Sequence, residues 1–127
     1  MSKVFIVEDH PIVRKGYVAF LSREPDLEIC GEAASGQDAL KKIAQEMPDL
    51  VVLDVSLQGD MNGVDLLKQL QADFPKLPVL VVSGHDEAIY GDMMRRNGAW
   101  GYVMKGDVGA FLRAIREVLS YVQTNPK

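Results

Sequence analysis

This sequence predicts a doubly wound α/β fold, a (βα)5 chain closing into a five-stranded parallel sheet. Three observations carry that prediction. Five short apolar runs alternate with five stretches whose apolar residues recur at helical spacing. The runs are continuously apolar rather than alternating, as strands covered on both faces are. Gly or Pro brackets each helical stretch, so the two periodicities are cleanly separated.

The elements follow in order. Val4–Val7 is the first strand. Pro11, suited to a first helical turn, opens a helix reaching Arg23 with Val13, Tyr17, Phe20 and Leu21 on one face. Leu27–Cys30 is the second strand. Ser35-Gly36-Gln37-Asp38 has the form of a capping box in front of the helix carrying Ala39, Leu40, Ile43 and Met47, which Pro48 closes. Leu50–Leu53 is the third strand, Gly63–Phe74 a helix with Val64, Leu67 and Leu70 inward, and Pro78–Val82 the fourth strand. A helix over 86–97, ended by Asn97-Gly98, leads to the fifth strand, Trp100–Met104. Val108–Val122 closes the domain with Phe111, Leu112, Ile115 and Leu119 inward, so the domain is residues 1–122. Residues 123–127 read as a polar tail or the start of a linker.

Composition narrows the function classes. The 127 residues, 47% hydrophobic and 25% charged, suit one globular domain with a sizeable core. The longest apolar runs are too short to cross a bilayer and the N-terminus has no signal-peptide pattern, so a cytoplasmic protein without membrane contact is expected. The single cysteine, Cys30, forms no internal disulfide and reads as a small buried hydrophobe. A net charge of −4 gives no basic footprint for nucleic acid, and no Cys/His spacing suggests zinc.

Strands separated by helices run parallel through right-handed crossovers, and ligands of such sheets sit beyond the carboxyl ends of the strands where strand order reverses. The residues at those ends are Glu8 and Asp9 after strand one, Asp54 after strand three, Ser83 after strand four and Lys105 after strand five. In the flavodoxin-like order 2-1-3-4-5, strands one and three are neighbours, and Glu8, Asp9 and Asp54 converge on one rim. Three carboxylates so placed repel one another. A hard divalent cation relieves the repulsion, and few oxygen ligands with room for water suit Mg²⁺. Kept ionised by the metal and Lys105, Asp54 is a carboxylate nucleophile suited to attack phosphorus, with metal, lysine and the Ser83 hydroxyl neutralising the phosphoryl oxygens.

The set of Glu8-Asp9, Asp54, Ser83-Gly84 and Tyr102-Val103-Met104-Lys105 resembles the receiver (CheY-like) domain of two-component response regulators over essentially the whole chain. That resemblance implies that Asp54 is the phosphoacceptor and that Mg²⁺ or Mn²⁺ is held by Glu8, Asp9, Asp54 and the Ser56 backbone carbonyl. It implies that Ser83 binds the phosphoryl group, that Lys105 pairs with it, and that Ser56 and His85 tune dephosphorylation. Tyr102 matches a switch aromatic that follows the Ser83 hydroxyl, although a static half-buried tyrosine is the commoner fate of such a residue. The donor implied is a phosphohistidine on a sensor histidine kinase or histidine phosphotransfer domain. The outcome implied is a shift of the α4-β5-α5 surface between two states, with slow self-dephosphorylation rather than enzyme activity of its own.

VEDHPIVRKGYVAFL, EICGEAASGQDAL and GAWGYVMKGD are further similar to the NarL/FixJ (LuxR-type) class, which is usually joined to a C-terminal DNA-binding helix-turn-helix. The expectation is a receiver that binds no nucleic acid itself and controls transcription through an output domain outside this chain; a stand-alone receiver acting by protein contact is the alternative. Phosphorylation also brings a homodimer into view, with Arg95, Arg96, Arg113 and Arg116 as its charge pairs or, more plainly, a solvated face. Trp100 alternates onto the side of Tyr102, marking either a partner surface with Tyr90, Met93 and Met94 or ordinary helix packing. His10 reads as a surface residue. Departures from the family pattern are a longer loop, Leu57 to Gly63 with Asp60 solvated in it, and Gly106 after Lys105 instead of proline, which makes a trans bond the expectation. Two rival classes remain. A flavodoxin-like FMN binder needs hydroxyl and glycine donors where EDHP stands, and a haloacid-dehalogenase-type phosphatase wants a second acid where Ser56 stands.

Overall fold

The computed structural model describes residues 1–57, 59–84 and 87–124. Its elements are β1 (Ser2–Val7), α1 (Pro11–Leu21), β2 (Leu27–Ala33), α2 (Gly36–Glu46), β3 (Leu50–Asp54), α3 (Gly63–Asp73), β4 (Val79–Ser83), α4 (Glu87–Arg96), β5 (Gly101–Met104) and α5 (Val108–Thr124). Every strand pair is parallel and the order is β2-β1-β3-β4-β5. This is the flavodoxin-like, CheY-like sheet that the alternation of periodicities predicts, and its order reverses between β1 and β3.

The period of two along each strand divides the core into two layers. Phe5, Val7, Val51, Leu53, Val79 and Val81 face α2, α3 and α4, where Ala39, Ile43, Leu66, Leu67, Leu70 and Met94 meet them. Val4, Ile6, Leu50, Val52, Leu80 and Val82 face α1 and α5, against Leu21, Phe111, Ile115 and Leu119. Each large aliphatic or aromatic side chain removed from water in this way contributes about 1.5–3 kcal/mol. A charge on these central strands is correspondingly expensive. Among the described residues the buried polar or charged ones are Glu8, Asp54 and Ser83, and all three stand at the carboxyl ends of strands.

Local departures from the sequence expectation have identifiable causes. β2 runs on past Cys30 to Ala33 because the pairing register shifts: Val4 faces Ile29 while Phe5 faces Gly31, so Cys30 is the extra residue of a bulge. Cys30 is therefore half-buried rather than fully buried, with its Sγ 3.6 Å from the Val4 carbonyl oxygen and its thiol pushed up by burial. A Cβ on Gly31 would lie 2.7 Å from the Phe5 ring, which explains glycine beside the bulge. α2 begins as expected, its Ser35 hydroxyl accepting from the Asp38 N–H at 3.2 Å. The full reciprocal box lies at α3 instead, where Asn62 and Asp65 cap each other. α5 extends to Thr124, two residues beyond the expected Val122, while residues 125–127 and Gln58 lie outside the described residues.

Candidate functional site

β1 and β3 deliver the acids. Val7 pairs with Leu53, so the residues that follow them, Glu8 and Asp54, emerge side by side where both strands end. Glu8 is 0% exposed and Asp54 1% exposed. Burial, reinforced by the neighbouring Asp54 carboxylate, pushes the Glu8 carboxyl up to about 7, against the opposing pull of the His10 N–H and Lys105. Burial would raise Asp54 as well, but its neighbours Glu8, Lys105 and Ser56 hold it below the usual carboxylate range. Of the pair, Glu8 is thus the group that takes up a proton more readily and Asp54 the one that holds its charge.

Lys105 is positioned by β5 and by its N–H, which donates to the Ser83 carbonyl at 2.8 Å. Its Nζ lies 2.8 Å from Asp54 Oδ2 and 3.5 Å from Glu8 Oε1. Partial burial works against the ammonium, yet the two acids raise its pKa, so it stays charged. The other Asp54 oxygen, Oδ1, accepts from the Ser56 N–H at 3.0 Å and the Ser56 hydroxyl at 2.8 Å. Both oxygens of the nucleophile are thereby oriented. Ser83, fully buried, pairs with Met104 one step along from the Asp54–Val82 pair. A Cβ on Gly84 would meet nothing within 4 Å, so open space lies over the end of β4.

Asp9 and His10 complete the rim. Glu8, Asp9 and His10 each offer a ligand atom within 4.8 Å of one another, and His10 Nδ1 lies 3.4 Å from Asp9 Oδ1. Glu8 Oε1 is buried without a hydrogen-bond partner. An orphaned carboxylate oxygen beside a second acid is the donor set a hard divalent cation takes, so the residues present fit such an ion. Asp9 does not cap α1. His10 occupies that position without a side-chain bond, and its N–H donates to Glu8 Oε2 at 3.1 Å.

Of the residues singled out in the sequence, the structure thus gathers Glu8, Asp54, Ser56 and Lys105 into direct contact and places Asp9 and Ser83 on the same edge. His85 lies outside the described residues. Tyr102 is 6% exposed, buried rather than half-buried, and belongs to the layer that holds Met94. Trp100 stands just before β5, which starts at Gly101, and its indole packs edge-on against Tyr121 of α5, ring centroids 5.8 Å apart. Asp60 is exposed, as expected of a solvated loop residue. Arg116 is taken up within the chain by Glu24 and Asp26 and Arg95 pairs with Asp92, so Arg116 is not held in reserve for a dimer. The Lys105–Gly106 bond is trans, and Gly106 has φ +92°, a value closed to proline. His10 is exposed, as its reading as a surface residue expects. One residue on the rim escaped the sequence reading: Arg14, whose guanidinium reaches the Glu8 carbonyl at 2.7 Å, carried no signal.

A parallel sheet of order 2-1-3-4-5, with a buried acid pair, a lysine and a strand-end serine at its carboxyl edge and an acidic turn after β1, defines a CheY-like signal receiver. The chain belongs to the response regulator receiver domain family, whose model matches residues 4–116. It is 40% identical over 121 residues to the DNA-binding transcriptional activator DevR/DosR of Mycobacterium tuberculosis, a match covering 93% of this chain and 54% of that protein. It is 32% identical over 103 residues to the oxygen regulatory protein NreC of Staphylococcus carnosus, covering 81% of this chain and 48% of that one. The crystal structure of a LuxR-family two-component response regulator from Aurantimonas sp. SI85-9A1 superposes with a TM-score of 0.88 at 29% identity, covering 94% of this chain and 86% of that one. The chain spans about half the length of the curated relatives it matches. No helix among the described residues is long and apolar enough to cross a membrane.

Proposed function

We propose that Asp54 accepts a phosphoryl group from a phosphohistidine on a sensor histidine kinase or histidine phosphotransfer domain. The single observation that carries this reading is the Asp54 carboxylate itself: buried, held ionised, and oriented at both oxygens by Lys105 and Ser56. An Asp54 oxygen attacks phosphorus, the P–N bond breaks, and its electron pair returns to the donor imidazole. Lys105 then shifts from the carboxylate toward a phosphoryl oxygen, and Ser83 donates its hydroxyl to another. Glu8, Asp9, Asp54 and the Ser56 backbone carbonyl would hold Mg²⁺ or Mn²⁺, which would supply charge neutralisation for the transferring phosphoryl group. A cleft of about 330 Å³ beside Lys105, walled by Val13, Tyr17, Phe20 and Phe111, supports docking of the donor against α1.

The receiver runs to the end of α5 and works through an output domain, in keeping with relatives about twice as long, one of them named a DNA-binding transcriptional activator. Transcription control then runs through that domain, by way of Ser83, Tyr102 and the α4-β5-α5 surface. His85 is assigned with Ser56 to the rate of hydrolysis. The module is cytoplasmic and catalyses only its own phosphorylation and slow dephosphorylation. Intact mass after incubation with Mg²⁺ and acetyl phosphate tests the reading. One added phosphoryl group in the wild type, lost with Asp54→Asn or with chelator, is expected; no adduct, together with no binding of beryllofluoride, overturns it.

A further inference from the structure

Glu8 sits where the hydrogen-bond ladder of β1 ends. Its N–H still donates to the Ala33 carbonyl at 3.0 Å, but its own carbonyl lies past the last paired residues, Val7–Leu53 and Val7–Ala33. A carbonyl left there under a buried side chain needs a donor. Arg14 provides it: one guanidinium NH1 reaches the Glu8 carbonyl oxygen at 2.7 Å, while Nε is anchored on Glu32 Oε1 at 2.9 Å. The Arg14 side chain is 18% exposed, largely enclosed between α1 and the end of β2. Its backbone N–H donates to the His10 carbonyl at 2.9 Å, and the His10 N–H donates to Glu8 Oε2. The three-residue turn that carries both rim acids is thus tied at each end to one arginine.

We propose that Arg14 is a positioning residue for the cation site: it fixes the backbone of the Glu8-Asp9-His10 turn, and through it the direction of both carboxylates, without touching ion or phosphoryl group. The inference rests on the cation reading given above. The planar fork is what the geometry uses, since one guanidinium spans a carboxylate on β2 and a carbonyl after β1 at a fixed separation, and a lysine ammonium on a flexible stem satisfies only one of them well. Partners that orient ligating carboxylates without binding the ion commonly contribute 10- to 100-fold to metal affinity.

The test is Mn²⁺ affinity, followed by electron paramagnetic resonance of the free ion, for wild type, Arg14→Ala, Arg14→Lys and the core variant Ile43→Val, with amide hydrogen exchange of the metal-free proteins alongside. The expected result is Mn²⁺ binding about tenfold weaker in Arg14→Ala, partial rescue by Arg14→Lys, and faster exchange of the 8–10 amides with β4 unchanged. Ile43→Val, destabilised at a distance from the rim, is expected to bind Mn²⁺ as the wild type does. Wild-type affinity in a folded Arg14→Ala, or an equal loss in Ile43→Val, overturns the positioning role alone. Absence of Mn²⁺ binding by the wild type overturns the cation reading and this inference with it.

Discussion

Glu8 is the residue at which folding and function pull in opposite directions. Burying a carboxyl is tolerable while it is protonated, and burial beside Asp54 pushes this one up to about 7 from its ordinary 4.5. Between those two values the folded chain keeps a proton the unfolded chain has released. Stability of the metal-free protein therefore falls as pH rises through that window, by about 3 kcal/mol in all. Asp54 contributes the other way: its lowered value gives stability that is present above the unfolded value and lost only as acid titrates the folded carboxylate, outside the Glu8 window. Urea unfolding in EDTA from pH 5 to 7.5 is expected to show the decline for wild type and to lose it in Glu8→Gln. Mg²⁺, by favouring the ionised acid in the folded state, is expected to stabilise the wild type more at pH 7.5 than at pH 5.5. A flat wild-type profile in EDTA would mean that Glu8 is ionised despite its burial.

At the scale of the element, α3 shows how closely structure is drawn in around the acceptor strand. Gly63 opens the helix where a Cβ would fall 2.3 Å from the Val55 carbonyl oxygen, one residue beyond Asp54. Backbone cannot yield there as a flexible side chain can. Gly63→Ala is expected to lower stability by about 3 kcal/mol, the upper part of the range for overpacking, whereas Gly16→Ala, with nothing within 4 Å of its Cβ on α1, is expected to be neutral or slightly stabilising. Equal denaturation midpoints for the two variants would refute the close approach. The elements themselves were legible because β3, β4 and β1 from Val4 onward are covered on both faces and have only apolar residues to offer until they end. β2 was less legible: the bulge at Cys30 breaks the spacing from Ile29 to Ala33, and a register shift against β1 leaves no mark in the sequence of β2 alone. The α3 box of Asn62 and Asp65 lay hidden inside what reads as an irregular loop. Asp54, Lys105 and Glu8 were legible because charge at the end of an apolar run is conspicuous. Arg14 was not, because an arginine on a helix is ordinary, and its carbonyl partner is set by the sheet edge it packs against.

Across the whole molecule, the sheet separates the groups that meet the acceptor from those positioned to respond. β5 lies on the far side of β4 from Asp54, but two links join them: the Lys105 N–H bonded to the Ser83 carbonyl, and the Val81–Tyr102 and Ser83–Met104 pairs along the shared ladder. Tyr102 in turn packs in one layer with Met94 and Tyr90 of α4. On the other flank, β2 reaches β3 only across β1, whose four buried residues are fixed in both layers, while α2 packs on β1 and α3. Drawing Lys105 and Ser83 onto a phosphoryl group would therefore disturb β5 and α4 before it disturbs β2 and α2, and the bistable element would be the Tyr102 contact rather than the sheet as a unit. Hydrogen exchange with and without beryllofluoride and Mg²⁺, a stable mimic of the phosphorylated acceptor, measures this directly. Changed exchange at α4, at 101–104 and at the turn carrying Ser83, with α2 and β2 unaltered, is the expected pattern, and Tyr102→Ala is expected to abolish the α4 part of it while leaving beryllofluoride bound. Exchange altered evenly on both flanks would show that the ion tightens the domain as a whole, and that the α4-β5-α5 surface has no privileged coupling to Asp54.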